Sequence, residues 1–189
     1  MEKLRLGLAL TGSYCTFEQI MAVAARLCVA YDVVPIISEN AATTDSRFGR
    51  ASDFLTQLKD ITGRPVLTNI TQTEPIGPKK LLDILVVAPC TGNTLAKLAS
   101  GVTDSSVTMA AKAHLRNGRP LVVAVSSNDA LSTGAVNLGT LMARKNVYLV
   151  PFRQDDAEKK PSSLVADFSR IEATVAAALA GQQIQPLLL

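Results

Sequence analysis

The chain has 189 residues, 48% of them hydrophobic and 19% charged, and its 19 Lys and Arg against 16 Asp and Glu leave a net charge of +3. At roughly 100–200 residues per domain this predicts one domain over residues 1–189, too apolar for a disordered chain or a coiled coil. So even a charge balance, with five Phe, three Tyr and no Trp, argues against the clustered cations and stacking platform of a nucleic-acid binder.

Leu4 to Leu10 is an apolar run of strand length, ended by Thr11-Gly12-Ser13. From Phe17 the period changes: Phe17, Ile20, Met21, Ala24, Leu27, Cys28 and Tyr31 mark an amphipathic helix with Thr16 as candidate N-cap. Val33 to Ile37 reads as a second strand, stopped by Ser38-Glu39-Asn40. Ala51 to Thr62 reads as a helix with Gly63 at its C-cap. Val66 to Ile70 reads as a short strand and 73–80, with two prolines and a glycine, as a loop. Leu82 to Ala88 is almost continuously apolar, as a central parallel strand should be, and Pro89 is expected to end it. Helices follow over 93–99, broken by Gly101, and from a cap at Asp104 to Leu115. Asn117-Gly118 turns the chain into a buried strand over 120–125. A helix over 138–144 and a last strand over 147–150 come next. The stretch 151–163 is polar and is read as loop, and Leu164, Phe168, Ile171, Val175 and Leu179 form a closing helical stripe ended by Gly181.

Strands that alternate with helices predict an α/β fold of Rossmann-like or flavodoxin-like type: a three-layer sandwich with a parallel sheet and helices on both faces. In such sheets ligands sit at the carboxyl ends of the strands, near the switch in strand order. The loops that matter are therefore 11–16, 38–50, 89–94 and 126–137. The mean hydropathy of +0.24 is high, yet no apolar run reaches the ~18 residues of a membrane span. The excess is assigned to buried strands and to subunit interfaces, which predicts a homo-oligomer. The opening Met1-Glu2-Lys3-Leu4-Arg5 is too quickly followed by a turn to be a signal peptide and is expected to lead into a cytoplasmic first strand.

Thr11-Gly12-Ser13 combines hydroxyls with a helix N-terminus, a setting that suits an anion, although a tight turn with an N-cap would look the same. It is neither GxGxxG nor a P-loop, because Ser13-Tyr14 stands where Lys-Ser/Thr would grip phosphates. Pro89-Cys90-Thr91-Gly92-Asn93-Thr94 after the central strand, and Ser126-Ser127-Asn128-Asp129 after the next, repeat the theme. Three small polar turns at three strand ends suggest a phosphorylated planar cofactor, with helix capping as the alternative for each. Cys15, Cys28 and Cys90 are odd in number and form no CxxC, so disulfides are not expected. Cys15 and Cys90 read as packing residues. His114, the single histidine, leaves a His-based zinc site short of ligands and reads as a satisfied surface residue. Arg47 lies in the loop after the second strand and is the candidate contact for an anionic substrate; a solvated arginine is the alternative. Asp155-Asp156 reads as solvated loop. No catalytic residue is identifiable.

Several strings are idiosyncratic: Leu8-Ala9-Leu10-Thr11-Gly12-Ser13, Thr44 with Arg47-Phe48-Gly49, Glu74-Pro75-Ile76-Gly77-Pro78-Lys79, Ala88-Pro89-Cys90-Thr91-Gly92-Asn93 and Ser127-Asn128-Asp129-Ala130-Leu131. With them the chain resembles, nearly end to end, the family of dipicolinate synthase B subunits, within the flavoprotein superfamily of cysteinyl decarboxylases and flavin prenyltransferases. The resemblance implies FMN near Gly12, Ser13, Ser38, Thr91, Asn93, Thr94, Ser126 and Asn128. It implies oxidation of dihydrodipicolinate to dipicolinate together with an A subunit that carries NADP, during sporulation, in the cytoplasm of the mother cell. The likeness stops short of the other two activities. The first helix has no histidine to serve as a decarboxylase base, and Ser126-Ser127-Asn128 replaces both the Pro-Ala-Met-Asn stretch of the decarboxylases and the Arg-bearing stretch of the prenyltransferases. Two other readings remain open: a vestigial flavin fold that only stabilises the A subunit, and a stand-alone FMN-dependent decarboxylase.

Overall fold

The computed structural model describes residues 3–189; Met1 and Glu2, the start of the stretch weighed above as a signal peptide, lie outside the described residues. The elements in chain order are β1 (Arg5–Leu10), α1 (Phe17–Ala30), β2 (Asp32–Ile37), α2 (Glu39–Thr43), α3 (Ala51–Thr62), α4 (Ile70–Thr73), β3 (Ile84–Cys90), α5 (Gly92–Ser100), α6 (Ser106–Leu115), β4 (Leu121–Ser127), α7 (Ala135–Met142), β5 (Val147–Leu149), β6 (Phe152–Asp156), β7 (Lys160–Ala166) and α8 (Ile171–Leu179).

β1, β2, β3, β4 and β5 pair in parallel in the order β2-β1-β3-β4-β5. This is the flavodoxin-type doubly wound order, in which the winding reverses between β1 and β3. Strand side chains alternate between two buried faces, which is why these strands read as continuous apolar runs. Leu6, Leu8 and Leu10 pack with α1, α3 and α8 on one face. Ala9, Leu85 and Val87 pack with α5, α6 and α7 on the other. Among the described residues no helix is long and apolar enough to cross a membrane.

The main departure from the sequence reading is the polar stretch 151–163. It is a hairpin, not a loop: β6 runs antiparallel to β7, and β7 joins the last residues of β4, Ser126 and Ser127. Most of β6 faces solvent on both sides, so the hydrophobic alternation that marks a half-buried strand never arises. Asp156 Oδ1 accepts the N–H groups of Glu158 and Lys159 and closes the hairpin turn. Leu164 consequently belongs to a strand rather than to the terminal helix. The tail returns along β6, where Leu187 and Leu189 bracket Phe152 through backbone hydrogen bonds.

Three smaller corrections have local causes. The stretch 66–70 makes one isolated bridge, Ile36 to Leu67. Asn69 then caps α4 by accepting the Gln72 N–H, which draws Ile70 into a helix. β3 continues through Pro89 to Cys90, with a register shift against β4 after Val87 where the proline can donate nothing to the ladder. Ser105, not Asp104, caps α6 in a capping box with Thr108, and Asp104 pairs with Lys97 at 2.8 Å instead.

His114 is buried rather than on the surface, at 1% exposure, with Nε2 2.9 Å from the Pro120 carbonyl. That carbonyl can only accept, so Nε2 carries the proton. Burial pushes the imidazole pKa down from 6.5 to about 4. The folded state thus holds a neutral ring that the unfolded chain would protonate. Its contribution to stability, about 3 kcal/mol, is complete above pH ~6.5 and is lost as the pH falls towards ~4. Asp32 and Asp129, whose pKa values lie below the ordinary 3.8, lose their contribution only beneath this window. Denaturant titrations at pH 7 and pH 4.5 should show the protein losing about 2–3 kcal/mol at the lower pH. His114→Gln, which keeps a donor but does not titrate, should lose much less, and equal losses in both proteins would show that another group carries the effect.

Candidate functional site

The carboxyl ends of β1 and β3 are stitched by one buried hydroxyl. Thr11 Oγ1 donates to the Pro89 carbonyl at 2.7 Å and accepts the Thr91 N–H at 3.0 Å. Thr91 in turn caps α5, accepting the Thr94 N–H at 3.3 Å, while its hydroxyl donates to Thr94 Oγ1. Helix geometry leaves the next donors, the N–H groups of Gly92 and Asn93, without an intrahelical acceptor at the positive end of the α5 dipole. Ser13 Oγ lies 2.9 Å from Ser126 Oγ and ties the first turn to the end of β4. Gly92 lets the side chains of Ser127 and Asp129 approach closely: a Cβ there would force both to turn away.

Two hollows open at this edge. The larger, of about 500 Å³, brings together Gly12, Ser13, Thr91, Asn93, Ser126 and Asn128. The second, of about 460 Å³, holds Ser38 and Thr94. Gly12, Tyr14, Thr91 and Asn93 line both and form the ridge between them. Six of the eight positions expected at a cofactor thus line the larger hollow, and Ser38 and Thr94 line the second only. Arg47 lines neither. Its guanidinium stacks on the Phe48 ring, 4.9 Å from the centroid, and Phe48 forms part of the rim of the larger hollow.

Three contributors escaped the sequence reading. The Asp129 carboxylate sits on the wall of the larger hollow, and hydrogen bonds first from Ser127 and then from Thr133 hold its pKa below the ordinary carboxylate value. Asp155 and Lys160 reach the same hollow from the hairpin, paired at 2.6 Å. Nothing in the local sequence could place them there, because the hairpin was not legible as strands. Of the cysteines, Cys15 is exposed on the rim rather than packed, with Sγ 3.9 Å from Ser13 Oγ. Cys90 is fully buried, which pushes its thiol far up and keeps it protonated. Among the described residues no group of three or more His, Cys, Asp or Glu is placed to share a metal ion.

The donor set is chemically specific. Neutral hydroxyls, two amides and first-turn N–H groups dominate, beside the Asp129 and Asp155 carboxylates and Lys160, the single cation lining the larger hollow among the described residues. Such a set binds a phosphate through helix N–H groups and a flat polar heterocycle through hydroxyls and amides. Both hollows are within the size range of small-molecule sites. A phosphorylated planar cofactor therefore fits the residues present.

A doubly wound sheet with a donor-rich hollow at its switch point defines the class of cofactor-binding α/β proteins. More narrowly, the chain belongs to the flavoprotein family, whose profile matches residues 1–166. It is 44% identical to the B subunit of dipicolinate synthase from Bacillus subtilis (strain 168) over 185 residues, covering 97% of this chain and 92% of the relative. The crystal structure of the corresponding B subunit from Bacillus halodurans superimposes with a TM-score of 0.91 at 44% identity, over 100% of this chain and 98% of that one. The fold alone is shared with DmrB of Burkholderia xenovorans, solved in complex with FMN, at a TM-score of 0.71, 18% identity and coverage of 94% and 96%.

The Thr11 stitch is directly testable. Thr11→Val keeps the shape, removes the hydroxyl and strips the buried Thr91 N–H of its acceptor. A loss of about 1–3 kcal/mol is expected in chemical denaturation. Faster amide exchange at Thr91 should accompany it, and unchanged stability would show that the stitch is dispensable.

Proposed function

We propose that the chain acts as a dipicolinate synthase B subunit: together with a dissimilar A subunit it oxidises dihydrodipicolinate to dipicolinate in the mother cell of a sporulating bacterium. The observation that carries this reading is the 44% identity to the Bacillus subtilis protein along nearly the whole of both chains. The reaction removes a hydride and a proton from a dihydropyridine dicarboxylate, and the aromaticity gained drives it. In this reading the A subunit brings the nicotinamide site of NADP, since β1 of this chain is followed by Thr11-Gly12-Ser13 and not by a dinucleotide fingerprint.

In this reading FMN occupies the strand-end hollows, held by Gly12, Ser13, Ser38, Thr91, Asn93, Thr94, Ser126 and Asn128. When bound, it supplies a two-electron carrier. The chain's own residues position and desolvate. Thr91 and the start of α5 offer N–H groups to a phosphate, and the Ser13–Ser126 pair offers hydroxyls to a ring edge. Phe48 walls the mouth, with Arg47 stacked on it as the substrate carboxylate contact. The guanidinium fork suits a carboxylate better than a point charge does. Further assembly into a homo-oligomer, in addition to pairing with the A subunit, is part of this reading and is supported by the high mean hydropathy of +0.24.

The co-purified complex should be yellow, with a flavin absorbance band and a released mass equal to FMN. A colourless complex with full activity would leave the fold as a scaffold for the A subunit. In the same complex, Arg47→Ala should lower kcat/KM for dihydrodipicolinate by roughly tenfold or more, with Arg50→Lys close to unchanged. Unaltered kcat/KM in a folded, assembled Arg47→Ala complex would remove Arg47 from the substrate site.

A further inference from the structure

A third cavity lies away from the strand ends, on the helical face formed by α5, α6 and α7. It is a groove of about 360 Å³. Its floor is apolar: Leu98 from α5, Ala111 and Leu115 from α6, and Val102 from the turn between them. Five cations surround that floor, Lys97, Lys112, Arg116, Arg144 and Lys145. They come from three separate segments, α5, the end of α6 and the turn after α7, so their clustering is a product of the fold rather than one basic run in the chain.

Charge balance within the chain does not explain them. Lys97 is paired with Asp104. Arg144 donates to the neutral Leu98 carbonyl at 3.1 Å. Lys112, Arg116 and Lys145 make no ion pair among the described residues. Lys112 and Arg116 are one helical turn apart, a like-charge spacing that costs a few tenths of a kcal/mol. The helix C-termini near the groove each contribute roughly half a negative charge. Together with Asp104 they still leave about two positive charges without a partner beside a partly exposed apolar floor. A ligand with a flat apolar body and several negative charges satisfies both features: the body covers the floor, and Arg and Lys on the rim meet the anionic oxygens.

We propose that this groove is a binding site for a nucleotide-type ligand, a flat heterocycle that carries two or more phosphates. It is distinct from the strand-end hollows, each of which is lined by two carboxylates and one cation beside its hydroxyls and amides. Among the described residues Lys97 is the one side chain that borders both this groove and the second hollow, so an occupant of the groove is within reach of the Lys97–Asp104 pair at the cofactor edge.

The test uses the full chain in calorimetry with ATP, adenosine and tripolyphosphate at about 0.1 M salt. ATP should bind with one-to-one stoichiometry and more tightly than tripolyphosphate, and adenosine alone should bind weakly or not at all. K112E/R116E, whose side chains lie outside the strand-end hollows, should weaken ATP at least tenfold while leaving the flavin content of the protein unchanged. Saturable ATP binding that the double variant does not affect would overturn the proposal. So would tripolyphosphate binding as tightly as ATP, which would reveal only a basic surface. If ATP does not bind and K112E/R116E instead weakens association with the A subunit, the groove is a protein interface and the proposal fails.

Discussion

The carboxyl edge of the sheet depends on the bond pair made by Thr11. Its hydroxyl replaces a ladder interaction where Pro89 has no N–H to give, and it does so at the point where β1 and β3 diverge. A doubly wound sheet opens a crevice there because successive crossovers leave in opposite directions. Without a fixed spacing between the two strand ends, that crevice would have no defined shape. Thr11 sets the spacing through its buried hydroxyl and its backbone N–H, which both donate to the Pro89 carbonyl, and Thr91 carries the constraint into the first turn of α5.

From that anchor the other donors fall into place by short steps. Thr91 caps α5 and leaves the Gly92 and Asn93 N–H groups facing outward. The side chains of Ser127 and Asp129 close over Gly92 because it has no Cβ. Ser126, one residue earlier, is thereby held against Ser13. The hairpin of β6 and β7 starts from the same point, since β7 pairs with Ser126 and Ser127 and brings Lys160 and Asp155 to the rim. The site is thus a chain of dependent contacts, and most of its members are hydroxyls, amides and backbone groups rather than charges.

This distribution of charge separates the parts of the molecule. Hydroxyls, amides and helix N–H groups make up most of the donors at the strand-end hollows, beside two carboxylates and one lysine in each. The opposite edge of the sheet is closed by Asp32, gripped by Arg64 through two hydrogen bonds and by Arg5 through one, so that carboxylate is stabilised by arginines with no ligand required. The groove between α5, α6 and α7 has cations without carboxylates. The three regions have different recognition chemistry although one sheet supports them all.

The sequence by itself determined the parallel α/β architecture, because strands buried on both faces must be apolar along their length and the helices between them must be amphipathic. It also pointed to the strand ends as a candidate site, since the turns after β1, β3 and β4 are small and rich in hydroxyls. The near end-to-end likeness to one family of flavoprotein subunits was equally legible, carried by strings such as Ala88-Pro89-Cys90-Thr91-Gly92-Asn93. Only the tertiary structure decided that Ser38 faces a separate hollow from Ser13, that Arg47 stacks on Phe48 outside the lining, and that His114 is buried against Pro120. It alone revealed the hairpin, whose solvated strands carry no alternating pattern, and with it Asp155 and Lys160 at the rim. The reason is common to all of these. Periodicity reports whether a segment has a buried face, whereas the direction of a side chain at a strand end, and the partner of a solvated strand, depend on residues up to 113 positions away, as Ser13 and Ser126 are.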